Sequence, residues 1–474
     1  FLVDGRVYKL KRAIELAFLD FRTLSARRAA CRAEIAINRR TAPDLYLGVR
    51  ALSADGRLVD SRSDGDGDGA AVDCLVEMRR FDGDDLFDKM AEEGRLTDDL
   101  LEKTATSIAG FHASARPRPD MWRPGRMRAL IDQIDASFPA DPPSEVGRET
   151  IAGVIDRIRQ LADEHAPLIE RRRAGGFVRE VHGDLHLRNI VLWRGAPTLF
   201  DAIEFDEEIR CGDCLYDIAF LLMDLGFRGL AGAANRTHNV YVRESGDIDG
   251  LALMPLFIGL RAAIRSHVEI STAAHLAMPG EGFASASAYL NLAQRVMANP
   301  APSVIAIGGL SGTGKSTVAR AIAPDIGPLP GALILRSDEI RKELAGVAST
   351  ERLSPDFYTA DWSAKVYAEL IDRSRRGVEA GQNVIADAVF GDPGHRAAIA
   401  RVAKDCGVGF SGIWLEAPRD VAVRRVSFRR DDASDADARV AASQSAAPPK
   451  DTAWQTVASG GALATTADLV RRGL

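Results

Sequence analysis

Apolar and polar positions recur along the first 300 residues with the periods of both strands and helices. A two-residue period predicts strands at 6–11 and 72–78, and a 3.6-residue period predicts helices at 25–40, 97–114 and 151–172. Shorter apolar runs predict further strands at 176–181, 190–193 and 198–200. A helical pattern continues from there to residue 297. A strand-rich half followed by a helical half favours an α+β fold.

The pattern changes after a short segment that contains two prolines, 298–303. These prolines end the helical pattern of 286–297, and an apolar strand follows at once. Strands are then predicted at 304–307, 332–336, 383–387 and 412–416, with helical stretches between them. Such alternation predicts an α/β domain with a parallel, doubly wound sheet. The sequence therefore predicts two domains, 1–299 and 300–474.

Composition and charge limit the classes of function. The chain has 474 residues, of which 46% are apolar and 27% charged, as in soluble globular proteins. Its net charge of -6 gives no electrostatic basis for binding duplex nucleic acid or an anionic membrane. No apolar run reaches the ~18 residues that span a bilayer, since Pro255 and Arg261 interrupt the longest candidate. A cytoplasmic protein without membrane or nucleic-acid partners is expected.

Two weaker patterns suggest metal sites but lack essential residues. Cys211 and Cys214 form a C-x-x-C pair that no second pair or histidine cluster accompanies. The acidic, glycine-rich segment 63–69 resembles the start of a calcium loop, but Leu75 stands where the bidentate glutamate is needed. A hairpin tip exposed to water explains this segment better.

Segment 182–189, with the sequence His-Gly-Asp-Leu-His-Leu-Arg-Asn, has the residue types of a kinase catalytic loop. The carboxylate of Asp184 can accept the proton of an acceptor hydroxyl, and the amide oxygen of Asn189 can bind magnesium. Asp201, after the next predicted strand, supplies a second magnesium ligand. A lysine on an early strand should bind the nucleotide phosphates with a helical glutamate beside it. Lys9 is favoured over Lys11 for that lysine, with Glu34 as its partner, although a shift of strand register would exchange the two lysines.

These residues carry a resemblance to the aminoglycoside phosphotransferase family, whose loop runs H-G-D-L-H-x-x-N, over most of residues 1–290. The resemblance implies a protein-kinase-like fold, ATP as phosphoryl donor, Asp184 as catalytic base, and Asn189 and Asp201 as ligands of Mg²⁺. It also places the first strands and any glycine-rich nucleotide loop before Phe1. One departure is the sequence Asp-Ala-Ile-Glu at 201–204, where protein kinases have Asp-Phe-Gly.

Segment 309–316, Gly-Leu-Ser-Gly-Thr-Gly-Lys-Ser, is a complete P-loop between a predicted strand and a predicted helix. Glycines let backbone N–H groups surround phosphate oxygens at a helix N-terminus. Lysine reaches the β- and γ-phosphates, and the serine hydroxyl enters the magnesium shell. The predicted nucleotide-binding residues are Gly309, Ser311, Gly312, Thr313, Gly314, Lys315, Ser316 and Thr317.

Residues after the P-loop favour a kinase over a motor protein. Asp338 follows a strand and can orient or deprotonate an acceptor hydroxyl, and Arg341 can hold an anionic or polar group of that acceptor. Asp387, at the end of another strand, is a candidate ligand in the outer magnesium shell. A later helix carries four arginines that can neutralise charge on the transferred phosphoryl group, of which Arg425 and Arg429 are the predicted catalytic ones.

The second half resembles small P-loop kinases that phosphorylate hydroxyl groups. The whole chain resembles a bacterial fusion described as a bifunctional aminoglycoside phosphotransferase and ATP-binding protein. Segment 432–436, Asp-Ala-Ser-Asp-Ala, is also similar to predicted bacterial kinases of this type. The leading hypothesis is an ATP- and Mg²⁺-dependent phosphotransferase that acts on small-molecule hydroxyls. The alternatives are a regulatory ATP-binding protein with a non-catalytic kinase-like module, and a nucleic-acid 5′-hydroxyl kinase. The acceptors and the oligomeric state stay open.

Overall fold

The chain forms two compact units, each with its own sheet. The computed structural model describes residues 1–3, 5–16, 19–60, 71–123, 125–274, 280–298, 300–428, 433–436, 444, 448–449 and 452–474. The first unit comprises Phe1–Arg228 and Leu256–Ala293, and the second comprises Gly229–Pro255 and Gln294–Leu474. The segment 61–70, which contains the calcium-loop-like pattern, lies outside the described residues.

The first unit is built on an antiparallel sheet with the strand order β1-β2-β7-β5-β6 among the described residues. Two short pairs, β8 with β11 and β9 with β10, flank the catalytic loop. A further hairpin joins β3 to β4. The strands are β1 Leu2–Val3, β2 Arg6–Leu10, β3 Glu15–Leu16, β4 Leu19–Asp20, β5 Tyr46–Ser53, β6 Leu58–Asp60, β7 Ala71–Arg79, β8 Val178–Glu180, β9 Ile190–Trp193, β10 Ala196–Leu199 and β11 Cys211–Asp213.

Helices make up most of the rest of this unit. Among the described residues before 300, the helices are α1 Leu24–Asn38, α2 Phe87–Glu92, α3 Asp98–Ser114, α4 Arg126–Ser137, α5 Arg148–Glu164, α6 Ala166–Ala174, α7 Glu207–Arg210, α8 Cys214–Phe227, α9 Ala231–Ser245, α10 Met254–Ala273 and α11 Gly280–Val296. Of these, α9 lies in the second unit. The prediction of one continuous helix over 151–172 is wrong. The chain bends at His165, because Pro167 lacks the N–H that would continue the helix and starts α6 instead.

The second unit is an α/β domain with the parallel strand order β13-β14-β12-β15-β16. The strands are β12 Ser303–Gly308, β13 Leu333–Arg336, β14 Val384–Asp387, β15 Gly409–Glu416 and β16 Trp454–Ala458. Its helices are α12 Lys315–Ile322, α13 Ser337–Leu344, α14 Ala360–Glu379, α15 Pro393–Cys406, α16 Arg419–Phe428 and α17 Leu463–Arg472. Apolar side chains of β12, β14 and β15 pack against α12 and α17 to form the core. This sheet confirms the predicted parallel α/β class.

The segment that contains α9 packs with the second unit, although it lies before residue 300. Asn235 donates hydrogen bonds to the carbonyl oxygens of Pro330 (2.9 Å) and Ala332 (3.0 Å). Asn239 accepts the N–H of Ile334 at 2.6 Å. Since β13 is the edge strand of the described sheet, two asparagines of α9 satisfy backbone groups that would otherwise face away from the sheet.

One helical stretch among the described residues, 249–273, is long and apolar enough to cross a membrane by length and composition alone. Two thirds of its most apolar window, 67%, is buried inside the protein. A buried core helix passes the same test.

Candidate active sites

The catalytic loop of the first unit is held by two buried aspartates of α8. Asp217 accepts the backbone N–H groups of His182 (3.1 Å) and Gly183 (2.8 Å). Asp224 accepts the N–H of Leu187 at 3.0 Å. His182, which is fully buried, donates its Nε2–H to the carbonyl oxygen of Phe200 at 2.9 Å. Hydrogen bonds between side chains and backbone groups therefore fix the loop. The bond of His182 also joins it to the segment that carries Asp201.

Asp184 is oriented from both sides. The amide nitrogen of Asn189 donates to its Oδ2 at 2.8 Å, and His186 Nε2 lies 3.3 Å from the same oxygen. Burial opposes the charge of Asp184, but the hydrogen bond from His186 and the charges around it outweigh burial and lower its pKa to about 2. The carboxylate is therefore ionised at neutral pH and available as an acceptor for a hydroxyl proton. His186, whose role the sequence left undecided, contacts the predicted base.

Lys9 and Lys11 both reach Glu34, which is buried on α1. Lys9 Nζ lies 2.6 Å from Glu34 and 2.5 Å from Asp201, whereas Lys11 pairs with Glu34 (2.5 Å) and Glu204. Burial lowers the pKa of Lys9, but the two carboxylates beside it outweigh this and raise the pKa overall. The geometry thus links the predicted phosphate lysine to the predicted metal ligand. Lys11, two positions further along the chain, forms its own ion pairs with Glu34 and Glu204.

The P-loop of the second unit needs glycine at two positions for steric reasons. Gly309 has a φ of 138° and Gly312 a φ of 84°, in the region that side chains disfavour. A Cβ atom at Gly309 would lie 2.5 Å from the carbonyl oxygen of Leu415, and one at Gly312 would lie 2.4 Å from that of Ala422. The loop therefore packs with its backbone against β15 and α16.

Six of the eight predicted P-loop residues line a cavity of about 980 Å³, and Gly309 and Thr313 are not among its lining residues. Lys315 donates to the carbonyl oxygen of Leu310 at 3.2 Å, and the N–H of Ser311 donates to Gln444 Oε1 at 2.8 Å. The Thr313 hydroxyl donates to the carbonyl oxygen of Leu310 at 2.8 Å. Of the predicted P-loop residues, those that line the cavity are Ser311, Gly312, Gly314, Lys315, Ser316 and Thr317.

The two predicted carboxylates of this unit lie in the same cavity, beside the P-loop. Asp338 is the second residue of α13, which follows β13 directly. Asp387 ends the neighbouring β14, which pairs with the P-loop strand β12. Carboxyl ends of parallel strands meet at one edge of a sheet, which is where ligands bind in open α/β folds. Burial raises the pKa of Asp338, while Arg336 and Lys315 pull it down. A raised pKa strengthens a carboxylate as a general base.

Arg341, on the same helix as Asp338, also lines the cavity. Its guanidinium donates to the carbonyl oxygen of Phe357 at 2.6 Å and lies 4.9 Å from the ring centre of Tyr358. Arg425 also lines the cavity, with its guanidinium 3.5 Å from the carbonyl oxygen of Thr313 in the P-loop. Arg429, the other predicted lid arginine, lies outside the described residues.

Arg336 is a site residue that the sequence analysis did not identify. It is buried at the end of β13 and donates to the Ser316 hydroxyl at 3.1 Å. Its other contacts are with Glu339 (2.7 Å) and Asp387 (3.4 Å). The signal available was its place immediately before Ser337 and Asp338, at the carboxyl end of a strand.

Both sites offer oxygen ligands of the kind that magnesium prefers. Mg²⁺ binds through one or two carboxylates plus phosphate oxygens and water. In the first unit Asn189 turns its amide nitrogen toward Asp184, which leaves the amide oxygen for a cation, and Asp201 supplies a carboxylate. In the second unit Ser316 supplies a hydroxyl and Asp387 supplies a carboxylate. Arg336 contacts both of these groups. The donor sets fit the metal.

A kinase-like catalytic loop in one unit and a P-loop beside two carboxylates in the other define two folds known from kinases. The chain belongs to the phosphotransferase enzyme family, which it matches over residues 13–252. Residues 304–448 match the AAA domain family. These matches confirm the resemblance found in the sequence and both predicted fold classes.

Relatives span nearly the whole chain. An uncharacterized protein of Mycobacterium tuberculosis is 30% identical over 453 residues, which are 94% of this chain and 87% of the relative. An uncharacterized protein of Mycobacterium bovis matches equally. The adenylyl-sulfate kinase of Myxococcus xanthus is 28% identical over 129 residues, 27% of this chain and 65% of that protein.

Solved structures resemble parts of the chain. A gluconokinase from Sinorhizobium meliloti is similar to 36% of this chain over 94% of its own length, with 20% identity and a TM-score of 0.27. A thermostable mutant of an aminoglycoside phosphotransferase is similar to 57% of this chain over 85% of its own length, with 14% identity and a TM-score of 0.36.

Proposed function

We propose that the protein is an ATP-dependent phosphotransferase with two nucleotide sites, each of which transfers a γ-phosphoryl group to a hydroxyl of a small molecule. One observation carries the proposal: Lys315, Ser316, Asp338 and Arg341 line a single cavity of about 980 Å³. That volume accommodates a nucleotide and a small acceptor together, and it brings phosphate-binding groups next to a candidate base. The domain division at residue 299 stays part of the proposal.

At the second site the chain's groups take distinct roles. Backbone N–H groups of the P-loop and Lys315 hold the phosphates, and Asp338 receives the acceptor's hydroxyl proton. The hydroxyl oxygen forms the new bond to the γ-phosphorus, the bond to the bridging oxygen breaks, and ADP leaves. Arg425 lies close enough to the P-loop to offset the charge on the moving group. Magnesium, bound through Ser316 and Asp387, supplies charge neutralisation on the phosphates.

At the first site the same chemistry uses different groups. Lys9 binds phosphate oxygens, Asn189 and Asp201 hold the magnesium, and Asp184 receives the proton. Because the pKa of Asp184 is about 2, its carboxylate stays ionised over the whole neutral range and can accept the hydrogen bond of the acceptor hydroxyl before it receives the proton.

The acceptor of the second site carries an anionic or strongly polar group. Arg341 and Arg352 line the same cavity as Asp338. Guanidinium groups bind carboxylate, sulfate and phosphate in a bidentate manner. The adenylyl-sulfate kinase of Myxococcus xanthus, by its name, acts on an acceptor of this kind. We expect the reaction to take place in the cytoplasm, where ATP is available.

Transfer of label from γ-³²P-ATP to a fractionated bacterial metabolite extract tests the proposal. A product lost in Asp184→Asn belongs to the first site, and one lost in both Lys315→Met and Asp338→Asn belongs to the second. Two exposed carboxylates outside the sites, Asp156 and Asp420, provide Asp→Asn controls that keep transfer. Hydrolysis that depends on Lys315 without transfer to any fraction favours a regulatory ATPase. Labelling of a 5′-hydroxyl oligonucleotide alone favours a nucleic-acid kinase.

A further inference from the structure

The carboxylate of Asp435 contacts three residues that belong to two segments of the second unit, the helix α13 and the loop 351–358. Lys342 Nζ on α13 lies 3.0 Å from Oδ1, the N–H of Leu353 donates to Oδ2 at 2.9 Å, and Tyr358 Oη donates to Oδ2 at 2.5 Å. Asp435 belongs to the Asp-Ala-Ser-Asp-Ala segment, for which the proposed phosphoryl transfer gives no role.

Lys342 makes this contact important because it is almost completely buried, with 1% of its surface exposed. A buried ammonium needs a counter-charge and hydrogen-bond acceptors, since isolated charges are costly away from water. Its acceptors are Asp435 and the carbonyl oxygen of Glu351, the latter at 2.6 Å. The loop 351–358 is therefore attached to α13 at its first residue through Lys342 and further along through Asp435.

The attached loop forms one wall of the cavity. Four of its residues line the cavity: Arg352, Leu353, Pro355 and Tyr358. The same loop supplies the Phe357 carbonyl that accepts from Arg341 and the Tyr358 ring beneath the Arg341 guanidinium. Ser434, the neighbour of Asp435, donates a hydrogen bond to Asp338. Segment 433–436 thus contacts both the 351–358 wall of the cavity and the candidate base.

We propose that Asp435 is a positioning residue for the acceptor: its carboxylate holds the 351–358 loop on α13 and thereby fixes Arg341 and the acceptor side of the cavity. This assignment rests on the proposed function of the second site. Asp435 does not contact the P-loop residues in any described hydrogen bond, so it acts on the acceptor half and not on nucleotide binding.

Hydrogen exchange in the full-length protein tests the proposal without knowledge of the acceptor. In Asp435→Asn, the amides of 351–358 should exchange roughly 10-fold faster, because a hydrogen bond to a charged group is lost. The amides of β12 should keep their protection, and the Kd for MgATP should stay within about twofold. Asp420→Asn, an exposed carboxylate outside the cavity, is the matched control.

A second variant covers the case in which Asp435→Asn fails to fold. Tyr358→Phe removes one donor and leaves the Lys342–Asp435 pair intact, so a smaller increase of about 3-fold in loop exchange is expected. Unchanged exchange of the loop in both variants would overturn the proposal. Faster exchange throughout the second unit, together with weaker MgATP binding, would also overturn it, because the role would then be general stability.

The labelled-extract assay adds a kinetic readout. For any acceptor of the second site, Asp435→Asn should raise the acceptor KM by about 10-fold with little change in the KM for ATP. If the wild-type protein transfers no label, the proposed function fails, whereas the exchange experiment still decides whether Asp435 holds the loop.

Discussion

Arg336 donates a hydrogen bond to the hydroxyl of Ser316, at 3.1 Å, from the end of a neighbouring strand. An arginine N–H on this oxygen directs the hydroxyl proton elsewhere and leaves a lone pair free to bind a cation. The same guanidinium contacts Asp387 at 3.4 Å. Arg336 therefore orients both candidate magnesium ligands of the second site.

Arg336→Met should weaken MgATP binding by roughly 10-fold, because a charge-assisted hydrogen bond contributes about 1.5–3 kcal/mol. ATP binding in EDTA, which depends on the P-loop backbone and Lys315, should change little. Titration with a fluorescent ATP analogue at varied MgCl₂ measures both. Arg373→Met, which removes an arginine paired with Glu343 and Glu369 away from the cavity, is the control. Equal losses with and without magnesium would show that Arg336 only supports the fold.

The two lysines of the first site should differ in importance. In a Lys315→Met background, Lys9→Met should lower transfer by the first site roughly 100-fold, as expected for a positioned cation at the reacting phosphates. Lys11→Met should cost less than about 10-fold, because Lys11 contacts Glu34 and Glu204 but not Asp201. Steady-state rates with saturating ATP give the comparison. A larger loss for Lys11→Met would exchange the roles.

The α9 contact should stabilise the edge strand β13. Asn239→Leu removes the acceptor of the Ile334 N–H and should destabilise this strand by about 1–3 kcal/mol. Hydrogen exchange of amides in Leu333–Arg336 reports the effect locally. Glu244→Gln, on the same helix but paired only with Arg243 in the described contacts, should leave the exchange of β13 unchanged. Equal exchange rates in the two variants would mean that α9 does not protect the strand.

Stability of the second unit should fall in mild acid because of His238. This histidine of α9 is fully buried, neither ring nitrogen has a hydrogen-bond partner among the described residues, and burial lowers its pKa from 6.5 to about 4. As the pH falls, the unfolded chain binds a proton at His238 at a higher pH than the folded chain does. The contribution of His238 to the free energy of unfolding is therefore fully present above pH 6.5 and is lost as the pH falls toward 4. The free energy of unfolding should fall by ~3 kcal/mol in total.

Urea unfolding of wild type and His238→Met between pH 7.5 and 4.5 isolates this contribution. The variant should show a weaker dependence of the free energy of unfolding on pH across that window. Parallel curves for the two proteins would mean that His238 does not titrate between the folded and unfolded states as its burial implies.

Local patterns in the sequence singled out the candidate site residues, whereas packing between distant segments left no pattern that the sequence alone reveals. The P-loop and the catalytic loop have fixed spacings, so Lys315, Asp184 and Asn189 could be identified without knowledge of the fold. By contrast, α9 continues the helical pattern of the first half, and nothing in its sequence shows that Asn235 contacts the edge of the second sheet. That contact depends on two segments almost 100 positions apart.

Other features were missed for equally specific reasons. The helix pattern of 151–172 hid the bend at His165, because apolar spacing continues through Pro167. The strand Tyr46–Ser53 contains Gly48 and irregular pairing with β7, which weakened its two-residue period. Asp435 could be singled out as part of a motif, but its contacts with Lys342 and Tyr358 required the tertiary structure.

The central claim, two nucleotide sites on one chain, is tested most directly by the stoichiometry of MgATP binding. Equilibrium dialysis with labelled ATP should give two nucleotides per wild-type chain and one per chain for Lys315→Met, with Arg373→Met remaining at two. One nucleotide per wild-type chain, with none left in Lys315→Met, would contradict the account, since the kinase-like unit would then bind no nucleotide.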